Sequence, residues 1–166
     1  MFRAMRRKRQ QLSEAECRTV LERGTSGVLA LSGDDGYPYA VPLSYVYTGG
    51  KLFFHSAKNG HKIDAIKRSS RASFCVIDQD QIVPEEYTTY FRSVMAFGTV
   101  RILEDDNEKL EAVRMLALKY APDDSEENRK RAIEREWKPL CMLEMKIEYM
   151  TGKEAIELAV KKEKEK

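Results

Sequence analysis

The sequence lacks most features that would assign a protein at once. No run of its 166 residues approaches the roughly 18 apolar residues that a transmembrane helix needs. The only cysteines are Cys17, Cys75 and Cys141. They are odd in number, widely spaced and form no CxxC, which argues against a disulfide framework or a zinc knuckle and suits a reducing cytoplasm. An excess of one charge is lacking too. Lys plus Arg is 29 against 27 for Asp plus Glu, a formal charge of +2, so the basic field of a dedicated nucleic-acid binder is missing. Basic residues at the N-terminus (Arg3, Arg6, Arg7, Lys8, Arg9) are followed by no apolar stretch, and no secretory signal is expected. GxSxG, Walker, HExxH and GxGxxG motifs are all missing. Histidine occurs twice and tryptophan once.

What is present is globular: 42% hydrophobic and 34% charged residues, enough for one domain with its own core. Residues 1–11 are expected to form a basic arm, 12–150 the domain, and 151–166 a charged helix and tail. Ser13 and Glu16 form a capping-box pattern, Cys17, Val20 and Leu21 an apolar stripe, and Gly24 a stop. A strand is predicted over 27–31, then a turn at Gly33-Asp34-Asp35-Gly36. One returning strand is predicted over 37–47, and another over 51–55. Helical spacing follows over 59–68 and a strand over 72–77. Residues 78–85 read as a polar connection. A long strand over 87–103 is expected to bend near Gly98. Helices over 107–120 and 128–136, a last strand over 140–147 and an amphipathic helix from 155 complete the chain. Antiparallel neighbours joined by short turns imply a β-barrel decorated by helices rather than a parallel sheet.

Three stretches could carry chemistry. Both histidines lie in Phe53-Phe54-His55-Ser56-Ala57-Lys58-Asn59-Gly60-His61-Lys62, which runs from a strand end into a helix start. A helix start offers unpaired N–H groups and partial positive charge. With Ser56, the two imidazoles and Lys62, it suits a phosphate monoester; the same residues also fit a capped helix with solvated lysines. A metal would need a third ligand, for which Asp64 is the only close candidate, and the histidine spacing matches no common zinc site. In the second stretch, 36–47, Pro38 and Pro42 suit an edge strand, where the backbone of Val41 and Ser44 could bond a planar heterocycle. In the third, 87–94, Arg92 and Ser93 could reach a phosphate or ring beside a wall of tyrosines, or the stretch could be core or dimer interface. Trp137 is either a core plug or a lid over a flat ligand.

Together these stretches resemble the pyridoxamine 5′-phosphate oxidase-like flavoproteins of FMN-binding split-barrel fold, nearest to the nitroimidazole-resistance branch. The matching motifs are Gly36-Tyr37-Pro38-Tyr39-Ala40-Val41-Pro42-Leu43-Ser44-Tyr45, Phe54-His55-Ser56-Ala57 with Gly60-His61-Lys62, and Val83-Pro84-Glu85-Glu86-Tyr87-Thr88-Thr89-Tyr90-Phe91-Arg92-Ser93-Val94. The resemblance implies a six-stranded antiparallel split barrel of mainly β structure with helices (α+β). It also implies a homodimer with FMN at the interface. Val41, Pro42, Leu43 and Ser44 would lie along the flavin ring, and His55, Ser56, Ala57, His61 and Lys62 would hold the phosphate and ribityl chain. Tyr90, Arg92 and Ser93 would approach from the long strand, with Trp137 from the partner subunit. FAD and F420 present similar groups. The Arg-rich substrate motif of the true oxidases is missing, so the implied activity is flavin-dependent reduction of a small flat acceptor such as a nitroimidazole. Electrons would come from a nicotinamide or flavin donor. No acid or base is assigned. The alternative is a carrier or sensor of flavin or haem, with His55 or His61 as an axial ligand.

Overall fold

The computed structural model describes residues 2–165; Met1 and Lys166, the ends of the expected arm and tail, lie outside the described residues. Five helices surround one antiparallel sheet. The helices are α1 (Glu14–Arg23), α2 (His61–Arg68), α3 (Asp106–Tyr120), α4 (Glu126–Glu136) and α5 (Ile156–Lys164). The strands are β1 (Ser26–Ser32), β2 (Pro38–Ser44), β3 (Val46–Thr48), β4 (Lys51–Ala57), β5 (Arg71–Val83), β6 (Thr88–Ile102) and β7 (Leu140–Glu154). Their order across the sheet is β2-β1-β5-β6-β7-β4-β3.

Local chemistry sets the boundaries. The Ser13 hydroxyl accepts from the Glu16 N–H, and the Glu16 carboxylate accepts from the Ser13 N–H, closing the capping box that starts α1. The apolar stripe of α1 is buried against the sheet. β1 alternates buried and exposed residues, as a strand with one core face must. Phe54 and Phe74 meet at the centre of the core with ring centroids 5.0 Å apart, and Tyr45 packs edge-on to Phe74 at 5.0 Å.

Seven strands form where six were expected, because the strand predicted over 37–47 breaks at Tyr45. This side chain is fully buried and donates its hydroxyl to the Leu21 carbonyl at 2.8 Å. Turning it inward takes the chain off β1 and onto β4, so one residue joins the two outer strands, β2 and β3. The sheet therefore curls round without closing, a split barrel. The break removes Tyr45 from the ladder, and α3 supplies the missing partner. The Tyr120 hydroxyl accepts from the Tyr45 N–H at 2.9 Å, lies 3.0 Å from the Tyr45 carbonyl and contacts the Thr25 carbonyl. Tyr120→Phe is expected to lower stability by about 1–3 kcal/mol, since buried backbone groups then lose their partner. Urea unfolding checks this, and an unchanged midpoint would show the hydroxyl to be dispensable.

Other differences have similar causes. Residues 78–83 are strand rather than connection. The ladder slips between Ile77 and Gln79, turning Asp78 toward Arg23 and Arg92, and then pairs on to Val83. β7 runs past 147 to Glu154, because β6 is long enough to pair with it throughout. Residues 151–154 are therefore sheet. The basic arm packs against that end: Gln10 is buried and donates to the Glu154 carbonyl at 3.1 Å, and Gln11 bridges to Lys153. The predicted bend at Gly98 is a register shift between Phe97 and Gly98.

Candidate functional site

β4 ends at Ala57, and a short loop leads into α2. Gly60 caps that helix with φ +117° and ψ 172°, a conformation for glycine alone. A Cβ there would meet open space, so the backbone, not packing, requires the glycine. No side chain caps α2; the first helical bond is donated by Asp64 to the Gly60 carbonyl. The N–H groups of the first turn therefore remain available to an anion.

Cations gather around this helix start. Lys62 is half-buried, and burial depresses its pKa. Lys109 of α3, only 7% exposed, comes from across the fold. Its ammonium donates to the Trp137 carbonyl at 3.1 Å and sits 3.9 Å from the Trp137 ring centroid. Its pKa is also lowered, first by burial and then by repulsion from Lys58. Cys141 feels Lys109, Lys62, Lys58 and Lys67, although burial outweighs them and raises its pKa. The salt bridges among the described residues engage none of Lys58, Lys62, Lys67 and Lys109. Cations held close together at an energetic cost, with no carboxylate in salt-bridge contact and only Asp106 acting on Lys109 from further off, define an anion site.

His61 opens α2. Its ring stacks on Tyr39 of β2 with centroids 4.0 Å apart, and Nε2 lies 3.4 Å from Asp34. Asp34 also accepts from Arg68 Nη1 at 2.5 Å, and that hydrogen bond holds the carboxyl below its usual pKa. This contact draws β2 to α2. Along β2, Val41 and Leu43 pack toward the core, Pro42 is exposed and Ser44 is half-buried. β2 pairs only with β1, so its prolines interrupt no second ladder. His55 is exposed on the face of β4 that carries Phe53 toward α3, while Ser56 and Ala57 pair with Cys141 and Leu140. Ser44 and His55 thus line one cleft, His61 meets β2 through Tyr39, and Ser56, Ala57 and Lys62 flank the same loop and helix start.

The remaining candidates lie elsewhere in the chain. Arg92 is tied to Asp78 at 3.3 Å and Glu154 at 3.1 Å, beside a separate 520 Å³ hollow that includes Arg23 and Gly24. Tyr90 donates to Glu86 at 2.8 Å, and Ser93 stands between Ile77 and Lys153. Within one chain these three are held by β5, β7 and the β5–β6 turn rather than by α2. Trp137, half-buried at the end of α4, is linked to the cation group through Lys109. Lys109 was missed in the sequence, although it shares the buried stripe of α3 with Ala112 and Leu116, and that spacing was the available signal. No set of metal-ligating side chains and no helix long and apolar enough to cross a membrane occurs among the described residues.

A curled antiparallel sheet that does not close, with helices packed around it, is the split-barrel fold. The chain belongs to the pyridoxamine 5′-phosphate oxidase family, whose model matches residues 13–154. Its structure is similar to a FAD-binding protein of Mesorhizobium loti, with 26% identity and TM-score 0.64, over 88% of this chain and 97% of the other. It is also similar to a proposed 5-nitroimidazole antibiotic resistance protein of Bacteroides thetaiotaomicron, with 21% identity and TM-score 0.70, over 86% and 85% of the two chains. A FAD- and haem-binding protein of Mycobacterium smegmatis shares the fold at 19% identity and TM-score 0.68, over 88% and 73%. No curated protein matches the chain.

Proposed function

We propose that the protein binds FMN between two copies of the chain and passes electrons from a nicotinamide or flavin donor to a small flat acceptor, of which a nitroimidazole is the model. The observation that carries this reading is the group of lysines without carboxylate partners at the uncapped start of α2. The donor set fits a phosphate: first-turn N–H groups, the Ser56 hydroxyl, His61, and Lys62 with Lys58 and Lys109 behind it. Val41, Pro42, Leu43 and Ser44 would lie along the ring, Ala57 and His55 beside the ribityl chain. Bound flavin would supply the electron-transfer chemistry; the chain's own residues position it and balance its charge.

A second copy would complete the site. The outer face of the sheet carries exposed Val28, Ile77 and Met95, an apolar surface that a soluble fold covers by association. Across that face Tyr90, Arg92 and Ser93 of one protomer would approach the ring held by its partner, as would Trp137.

The visible spectrum of purified protein tests the reading, together with light scattering and melting with added FMN. A yellow dimer is expected, and FMN at about a hundred times its Kd stabilises it by about 2.7 kcal/mol. A Soret band would favour a haem carrier, with His55 or His61, both exposed, as candidate ligand. Colourless protein indifferent to FMN and FAD, or a monomer at working concentration, would overturn the proposal.

A further inference from the structure

A second hollow lies beside the same residues. Between α3, α4 and β4 is a cleft of 510 Å³, a volume that suits a small organic molecule. Val113, Leu116 and Ala117 of α3 and Ala132 and Ile133 of α4 give it apolar walls. Ser44 and His55 line it too, so it adjoins the ring side of the proposed flavin site.

One cation in this cleft is incompletely partnered. Arg129 is half-buried. Its Nη2 donates to the carbonyls of Ala121 at 3.3 Å and Asp124 at 2.9 Å, while its Nε is buried with no acceptor. Buried donors left this way are rare in native proteins. The two acids on the cleft are engaged elsewhere. Asp124 accepts from the Asn128 amide at 2.9 and 3.0 Å, and Glu136 from Arg135 at 3.0 Å. The guanidinium therefore presents its charge among apolar walls without a carboxylate of its own.

We propose that this cleft binds the electron acceptor, and that the acceptor is a small aromatic carboxylate bearing a nitro group, which takes two electrons from the reduced flavin and two protons to leave a nitroso group and water. The carboxylate meets Arg129 in a charge-assisted pair. The ring lies between the apolar walls of α3 and α4, with its far edge toward Ser44 and His55. Asp124 and Glu136 disfavour a second negative charge, which selects a monoanion. The role as acceptor site rests on the flavin reading; the binding itself does not.

The test titrates 4-nitrobenzoate and its neutral relative 4-nitrobenzamide into the full chain, followed by ligand-observed NMR, with flavin content recorded from the visible spectrum. Wild type is expected to bind the carboxylate about tenfold more tightly than the amide. Arg129→Gln removes that preference, Arg129→Lys retains part of it, and Ala132→Phe, one turn along α4 from Arg129, fills the cleft and weakens both ligands. Equal affinity for the two ligands, or a preference that survives Arg129→Gln in folded protein, overturns the ligand class. Binding that Ala132→Phe leaves unchanged overturns the location. Flavin-free protein that still shows the preference would separate this result from any failure of the flavin assignment.

Discussion

Gly98→Ala is expected to destabilise the protein by about 4 kcal/mol or more, the largest effect of any single methyl group in the sheet. A Cβ at this position would lie 1.9 Å from the Lys146 carbonyl oxygen, 2.9 Å from its carbon and 3.2 Å from the Ile147 Cα. All three are backbone atoms of β7, directly across the ladder, where Gly98 pairs with Ile147 just after the register shift. A rotamer change cannot relieve such a clash; β6 and β7 must part, and these two long central strands hold the sheet together. Overpacking against side chains typically costs about 1–3 kcal/mol, and values above 4 mark backbone or buried-charge failures. Gly152→Ala is the internal comparison. Its Cβ would meet the Cys17 sulfur at 2.6 Å and Leu12 side-chain atoms at 2.7 and 2.9 Å, groups that can shift, so a loss of about 1–3 kcal/mol is expected. Urea midpoints for the two variants, with circular dichroism at neutral pH, decide the matter. Equal losses would mean that the strands part easily and that the glycine has another role.

What could be read from the sequence was what short stretches determine. Ser13 and Glu16 announced α1 because both halves of a capping box lie within one turn. The glycine turns announced hairpins because a positive φ is a local demand. The break at Tyr45 was not legible, since its causes, the Leu21 carbonyl and the Tyr120 hydroxyl, come from two helices distant in the chain. Asp78, Gln79, Asp80 and Gln81 read as loop because polarity is the usual mark of one. Here a long hairpin satisfies its own backbone whatever the side chains are. At the candidate site, Ser56, His61 and Lys62 stood out because loop and helix start are contiguous. Lys109 and Arg129 did not, because each lies on a charged helix among many similar residues. Their significance is that neither is held in a salt bridge among the described residues, which only the tertiary arrangement reveals.

Replacing His61 and Lys62 together by alanine is expected to weaken FMN binding roughly a hundredfold, while affinity for riboflavin, which has no phosphate, changes little. Two charge-assisted contacts to one phosphate account for that magnitude. The fold should survive. His61 is exposed, and Lys62 is held half-buried at a cost that shows in its depressed pKa. Removing its charge relieves the cost when no phosphate is present. The paired ligands make the result specific. A variant that lost the Tyr39 stack and shifted β2 would bind both flavins more weakly, whereas loss of the anion site alone abolishes only the preference for FMN. Arg68→Ala is the control on the same helix. Its charge is already taken by Asp34, so FMN affinity should hold. Fluorescence titration at two salt concentrations completes the test, because wild-type FMN affinity should fall with salt more steeply than the double variant's. If the double variant still held FMN as tightly as wild type, the phosphate would have to sit elsewhere. Arg23 with Arg92 is another cation pair, but Asp78 and Glu154 already oppose those charges. The lysines at α2 have no such opposition, and that difference is why the phosphate is assigned to them.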